Sequence, residues 1–438
     1  MNVYIVFELK QRELLSKLLL AMDSASKGND VYLGRINSYI QRGFFNPGIV
    51  HLKSITPGNT RIKELEYLNR EGFKITSQDE ENGFIDRNSN YKSYRYSSRT
   101  ISLIDKVFTW GPFDYNNLAN FYSNYKSKFI KSGNPRVDFW RKDFEKFYKN
   151  IKYIGYENYI LLSANFAFVC QHRTLREELN FYKTSGYFNR KGFTKNDVTM
   201  WYNDSFKIFK KYKKAIKNIS KKFKNKIIII RPHPVDSLKK WEKHFKTDRN
   251  IKIISKGFIS DWIHKAKVVI HAGCTGGLEA SLRNKNTISF YPIKSKHGHP
   301  FADLFSKKII KEKKLLNHLE YIYSNLNSDF KFNNKSKSFI KKRTFNIFGD
   351  PSYKKISSTW QKIIKKNFKR NNLILLRFSF KIRDLRLKLL GKKIGDNKFS
   401  YFDKKEVFEI VSRLKKIDRK YNDIKIDYIK SDIIRVYK

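Results

Sequence analysis

Short apolar runs alternate along this chain with longer stretches whose apolar residues recur every three or four positions. "NVYIVFEL" is one such run, "KQRELLSKLLLAMDSASKG" keeps its leucines at helical spacing up to Gly28, and "NDVYLG" is a second run. The pattern predicts strand, helix, strand. "FKITSQ" and "DKVFTWG" continue the alternation, and Gly133, Asn134 and Pro135 in "KSGNPRVDFWRKDF" form a turn that closes a first domain over 1–150. "NYILLSANFAF" reopens the pattern, and a basic helical stretch over about 196–222 leads into "KIIIIRPHP". "NIKIISKG", the helix "ISDWIHKA", "KVVIHAG", a helix from "TGGLEASL" and the strand "NTISFYP" then complete a second domain over 151–345. The fold class expected is α/β, two Rossmann-like doubly wound domains facing a cleft. Residues 346–438 are expected to be a basic helical C-terminal extension, in which Val407, Phe408, Val411, Leu414, Ile417 and Tyr421 share a helical face.

Length agrees with this division, since 438 residues exceed what one hydrophobic core serves. Aromatic residues at 16% fill two cores and exclude a disordered chain. Cys170 and Cys274 stand far apart, so neither a disulfide framework nor a paired-cysteine zinc site is expected, and a cytoplasmic location fits. The chain opens without a basic leader, and no run of about 18 uncharged apolar residues occurs to span a membrane.

Charge changes the picture more. Lys and Arg number 92 against 40 Asp and Glu, a net charge of +52, which draws polyanions: nucleic acid, an anionic membrane or a phosphorylated substrate. The abundance of Lys, Asn, Ile and Phe also reflects general composition. The basic residues are spread along the chain and no nucleic-acid motif appears, so nucleic acid is not the expected partner, although a basic nucleic-acid-binding protein is the alternative from another class. Between Lys354 and Lys393 there are 14 basic residues and one acid, Asp384, and "LILLRFSFKIRDLRLKLL" interleaves apolar with basic side chains. Such a segment either packs on the domains as a closing helix or lies on an anionic membrane surface, which makes peripheral association through 373–390 an expectation.

Two stretches carry candidate chemistry. In "IIIIRPHP" a buried strand delivers His233 between Pro232 and Pro234, whose fixed φ angles present the imidazole with little backbone freedom. Arg231 and His233 both favour phosphate oxygens. In "VVIHAGCTGGLEASL" a strand runs through Gly273 into a helix for which Thr275 is the expected N-cap. Gly276 and Gly277 leave its first amides uncovered for an anion. Glu279, one turn in, is placed to accept from ribose hydroxyls or to cap the helix. Cys274 reads as a small turn residue.

"RPHP" (231–234), "ISDWIHKAKVVIHAGCTGGLEA" (259–280), "GNPRVDFWR" (133–141) and "FELKQREL" (7–14) together resemble the bacterial surface carbohydrate biosynthesis proteins, glycosyltransferase-like proteins of the two-Rossmann-domain type B fold. They are also similar to capsule Kdo transferases, polysialyltransferases and polyol-phosphate transferases, in which an HP motif and a Ser/Thr motif bind a cytidine nucleotide's phosphate. The resemblance implies that His233 is the HP-motif ligand, that Thr275 contacts the donor phosphate and that Glu279 holds the ribose. Cys274 stands where those groups carry a second hydroxyl. It implies a transferase with no cofactor beyond the nucleotide-sugar substrate, a CMP-linked acidic sugar, and a polysaccharide or lipid-linked acceptor; the sequence shows no aspartate-rich metal motif of the kind other glycosyltransferases carry, so a metal-independent reaction is expected. A CDP-polyol phosphotransferase is the near alternative, and a non-catalytic scaffold that kept the fold is another.

Transfer to a hydroxyl needs a proton acceptor or a carboxylate nucleophile. Asp79, Glu80 and Glu81 follow a strand in "ITSQDEENG", and Glu8 follows the first strand, with Arg12 nearby. All four are catalytic candidates. His172, His297 and His299, the last two beside Lys294 and Lys296, are further candidates for the cleft; a metal site built on His297 and His299 lacks a clustered third ligand.

Overall fold

The computed structural model describes the chain apart from residues 7, 82, 84–90, 150, 171–172, 187, 189–193, 234–235, 294–302, 326–333, 364–368 and 391–400. Two compact units result: Met1–Asn150 together with Ser338–Lys438, and Ile151–Lys337. The strands are β1 (Asn2–Val6), β2 (Asp30–Gly34), β3 (Ile49–Leu52), β4 (Lys74–Ser77), β5 (Lys106–Thr109), β6 (Phe129–Lys131), β7 (Tyr159–Ser163), β8 (Ile228–Arg231), β9 (Ile251–Ile253), β10 (Ala266–His271), β11 (Asn286–Phe290), β12 (Lys307–Ile309), β13 (Lys425–Lys430) and β14 (Ile433–Tyr437). The helices used below are α1 (Lys10–Ala25), α2 (Lys195–Lys222), α3 (Leu238–Phe245), α4 (Ile259–Lys265), α5 (Thr275–Leu282), α6 (Ser352–Ile363), α7 (Leu373–Leu389) and α8 (Lys404–Lys415).

Among the described residues, the first unit carries an eight-stranded sheet in the order β13-β14-β2-β1-β3-β4-β5-β6. β1 to β6 pair in parallel, and β1, β2 and β3 are buried along their whole length, as expected of strands covered on both faces. The late chain supplies the other edge: β14 pairs antiparallel with β2, joining Ile433 to Gly34 and Val436 to Val31. Gly34 is required there, since a Cβ would stand 2.1 Å from the Asp432 carbonyl oxygen. The expected appended extension is therefore corrected. Residues 338–438 return to the first unit, add two strands to its sheet and pack α6 on α1, so they belong to its core. They are also not wholly helical, and on α8 Phe408 is exposed while Val407, Val411 and Leu414 are buried.

"GNPRVDFWR" explains part of this return. Asn134 caps a short helix, Pro135–Asp138, and its own N–H donates to Asn346 Oδ1 at 3.2 Å. The buried Asp138 carboxylate accepts from the Asn346 amide at 2.6 Å and from the main-chain N–H groups of Ser352 and Tyr353, each at 3.0 Å, at the start of α6. Gly133 has φ +78°, and a Cβ there would overlap the Asn346 side chain at 2.0 Å. The motif is a bracket for residues 346–353.

The second unit has a six-stranded parallel sheet in the order β12-β11-β10-β7-β8-β9 among the described residues. Its core joins the strand isoleucines to Phe209, Tyr212 and Ile216 of α2 and Trp241 of α3. The chain lays β7, β8 and β9 to one side and then returns to build β10, β11 and β12 on the other. The strand order thus reverses between β7 and β10, the position where open α/β sheets bind ligands.

Candidate functional site

At the carboxyl edge of the second sheet, His271, Ser163 and Arg231 end three adjacent strands in register, His271 opposite Ser163 and Ser163 opposite Arg231. Strand spacing of about 4.8 Å puts the outer two roughly 10 Å apart. Gly273 and His233 each lie two residues beyond this row, on either side of β7. The surroundings are polar: Ser163 Oγ lies 3.1 Å from Cys274 Sγ, and the Asn165 amide donates to Gly273 O at 3.2 Å.

His271 is fully buried and sets the geometry of the turn. Its Nδ1 accepts the Gly273 N–H at 3.1 Å, so the ring proton sits on Nε2, which donates to Ser306 Oγ at 2.7 Å. Burial pushes the imidazole down to about 3, leaving it neutral. The ring lies under the opening of α5, where a Cβ at Gly277 would stand 2.3 Å from it and a Cβ at Gly276 would stand 2.6 Å from Ser163 Oγ. The two glycines therefore let the helix start come down onto the strand ends. Gly273, at φ +69°, provides the turn.

The expected N-cap is corrected by one residue. Cys274 is the cap, with extended φ/ψ, and Thr275 is the first helical residue, its side chain exposed at the helix mouth. Burial raises the Cys274 thiol, against the pull of the Ser163 hydroxyl and the Gly277 and Gly276 amides, so it stays protonated. Glu279 is buried one turn further, 3.6 Å from the Arg283 guanidinium, which also donates to Ser260 O at 2.7 Å. The Glu279 carboxylate is thus a buried group beside the cation that ties α5 to α4.

His233 is half-buried, and its main chain is held by a reciprocal turn. Its N–H donates to Asp236 Oδ2 at 3.0 Å, the Asp236 N–H returns to His233 O at 2.8 Å, and the same carboxylate oxygen accepts the Trp241 indole at 2.9 Å. Burial lifts the Asp236 carboxyl to about 6. Asp236 and Trp241 escaped the sequence reading; their signal was an Asp three residues after the His, just ahead of a helix with Trp on its apolar face. Arg231 departs from expectation. Its guanidinium is buried, donates to the carbonyls of Ile254 (2.8 Å), Lys256 (2.7 Å) and Gly257 (2.7 Å), and lies over the Trp262 ring. Burial lowers it to about 10. It ties β8 to the turn after β9 and is not aimed at an anion.

The acids of the first unit separate by environment. Asp79 is buried, receives Arg95 at 2.8 Å, and is raised by burial although Arg95 opposes the shift. Glu80 is buried 2.5 Å from Lys17; burial would raise it, but Lys17, Arg136 and Arg12 outweigh that and hold it below the usual range. Only Glu81 of the three presents half its side chain, 49% exposed, with Arg12 and Arg95 as partners. Of the three candidates, Asp79 and Glu80 are thus interior ion pairs. Glu8 is 39% exposed and pairs with Lys53, at the point where β1 and β3 mark the order reversal of this sheet. Sequence reasoning also missed Glu13. Buried in α1, its carboxylate accepts the N–H groups of Glu8 (3.3 Å) and Leu9 (3.4 Å), and burial followed by the Glu80 charge raises it to about 7.

His172, Lys294, Lys296, His297 and His299 lie outside the described residues. Among the described residues, no group of three or more His, Cys, Asp or Glu side chains is placed to hold a metal ion.

No family model and no curated protein matches the chain. Among solved structures, the UDP-GlcNAc 2-epimerase of Methanocaldococcus jannaschii is similar, with a TM-score of 0.51 at 15% identity over 83% of this chain and 100% of that one. The wall teichoic acid polymerase TagF is matched at a TM-score of 0.48 and 11% identity, over 83% of this chain and 89% of that one. A glycosyltransferase from Rickettsia africae is matched at 0.42 and 13%, over 84% and 99%. At such identities the likeness is one of fold: two Rossmann-like units of the glycosyltransferase B type.

Proposed function

We propose that the second unit seats the phosphate of a nucleotide-activated sugar, and that the protein transfers this sugar to a surface polysaccharide or lipid-linked acceptor on the cytoplasmic side of a membrane. The observation that carries the reading is the row His271, Ser163, Arg231 at the order reversal of the sheet. A glycine-opened helix stands on one side of it and His233, in a braced turn, on the other. A neutral ring beneath, two glycines and the start of a helix attract an anion through amides and dipole. Thr275 at the mouth supplies a hydroxyl and His233 a ring N–H.

Within this reading the donor is a CMP-linked acidic sugar, and Glu81 or Glu8 takes the acceptor's proton, because those two carboxylates reach the surface whereas Asp79 and Glu80 are paired inside. The phosphate of a CDP-polyol fits the same seat, and donor turnover with each compound separates the two.

The test is thermal stabilisation by CMP, UDP and GDP. We expect one nucleotide at a hundred times its Kd to contribute about 2.7 kcal/mol, and His233→Ala and Thr275→Ala each to weaken its binding about tenfold or more. Absence of stabilisation by all three in the wild type would discard the proposal. Donor turnover in Glu81→Gln and Glu8→Gln then identifies the proton acceptor.

A further inference from the structure

α7 is held to the first unit by one face and leaves another apolar face uncovered. On the held side Leu376 and Phe380 are buried, Phe380 packing on Tyr39 at 4.6 Å and on Phe44 at 5.6 Å. Arg383 lies over the Tyr39 ring, and Asp384 pairs with Lys430. Ile374, Leu375, Phe378, Ile382, Leu385 and Leu389 are between 52% and 80% exposed. At about 100° per residue, these six fall within one arc roughly 100° wide, directed away from Leu376 and Phe380. Exposed cations border the arc: Arg386 on one side, Lys381 and Arg377 on the other.

We infer that this face of α7 docks the protein on an anionic lipid bilayer, the helix lying in the plane of the surface. The arc presents aliphatic and aromatic side chains at acyl depth while the bordering cations sit at headgroup level. The only acid described on α7, Asp384, is already paired and lies outside the arc. Two copies of the chain apposed through this strip would bring Arg377, Lys381 and Arg386 of each near those of the other, whereas an anionic surface complements them. No described helix is long and apolar enough to cross a membrane, so the contact is peripheral. The inference goes beyond the sugar-nucleotide reading and does not rest on it.

The test is cosedimentation of the full chain with phosphatidylcholine vesicles, with and without one quarter phosphatidylglycerol. The wild type is expected to bind the anionic vesicles, more weakly as salt rises, and the neutral ones poorly. Phe378→Ser with Leu385→Ser, both exposed positions, is expected to weaken binding at least about tenfold while melting temperature and nucleotide stabilisation stay unchanged. Arg377→Gln, Lys381→Gln and Arg386→Gln are each expected to weaken binding to the anionic vesicles about fivefold, with little effect on the neutral ones. Should the serine pair shift the melting temperature, Ile374→Ser in the first turn of α7 takes its place. Wild type that stays in the supernatant with anionic vesicles overturns the proposal, as does serine-variant binding equal to wild type. So does a wild-type dimer that the serine variant converts to monomer without any vesicle binding, which would assign the strip to a second copy.

Discussion

The two units handle charge in opposite ways. At the carboxyl ends of β7, β8 and β10 the second unit gathers a neutral imidazole, two glycines, a thiol and hydroxyls, and turns the Arg231 guanidinium into a tie between carbonyls. At the ends of β1, β3 and β4 the first unit packs charged side chains together, each acid matched by a cation: Glu8 with Lys53, Glu80 with Lys17, and Asp79 and Glu81 with Arg95. In a chain of net charge +52 side-chain cations are too common to select an anion, which is why the proposed seat rests on main chain and dipoles.

Lys17→Met should break that contrast most severely. It leaves Glu80 and Glu13 buried without their cation and is expected to cost about 3–5 kcal/mol. Urea denaturation should show the first unit lost and the second retained; a loss below about 1 kcal/mol would mean that the carboxylates find water or protons instead.

Gly277→Ala is the corresponding blow to the second unit. The added methyl overlaps the His271 ring, and overpacking of this kind costs about 1–3 kcal/mol. Nucleotide stabilisation should vanish with it. Gly276→Ala meets a Ser163 hydroxyl that can rotate away, so its cost should be smaller, and equal costs would refute the account of the helix opening.

The same contrast explains what the sequence reveals. The second unit is continuous, so its strands, its glycine-opened helix and the strand that delivers His233 can be read locally. What local reading missed there was a fate decided by partners elsewhere: Arg231 bonded to the turn after β9. The one-residue error at the N-cap arose because Thr is the stronger capping type, while the turn at Gly273 places Cys274 there instead. The first unit depends on contacts more than 200 residues apart, such as Asn134 with Asn346 and Asp138 with Ser352. No periodicity announces these, so "GNPRVDFWR" was visible as a motif while its role as a bracket was not. β14 was hidden for the same reason, since its partner β2 lies at the other end of the chain, and β13 joins the sheet only through β14.

Glu13 sharpens the comparison through pH. Its carboxyl is raised from 4.5 to about 7 in the folded chain, so the folded state holds that proton more tightly than the unfolded one. The stabilisation is fully present below the lower value and is lost as pH climbs to the higher. Glu13→Gln keeps a neutral side chain throughout. Its stability relative to wild type is therefore expected to rise by about 1.4 kcal/mol per pH unit across this window and then level off. A flat difference between pH 5 and 7 would show that Glu13 is already ionised there.

The smallest effect concerns Cys274. As N-cap of α5 its thiol leans on Ser163 Oγ at 3.1 Å and on the amides of Gly276 and Gly277, a position where a hydroxyl is the better acceptor. Cys274→Ser is nearly isosteric, so the second unit should gain about 0.5–1 kcal/mol from the stronger cap. A shorter acceptor also pulls closer to the amides and places a second hydroxyl beside Thr275. If the seat holds phosphate through amides and hydroxyls together, nucleotide stabilisation in calorimetry should be kept or strengthened. If the serine variant is more stable yet responds less to nucleotide, the hydroxyl has covered amides that the phosphate needs, and the seat binds through main chain alone.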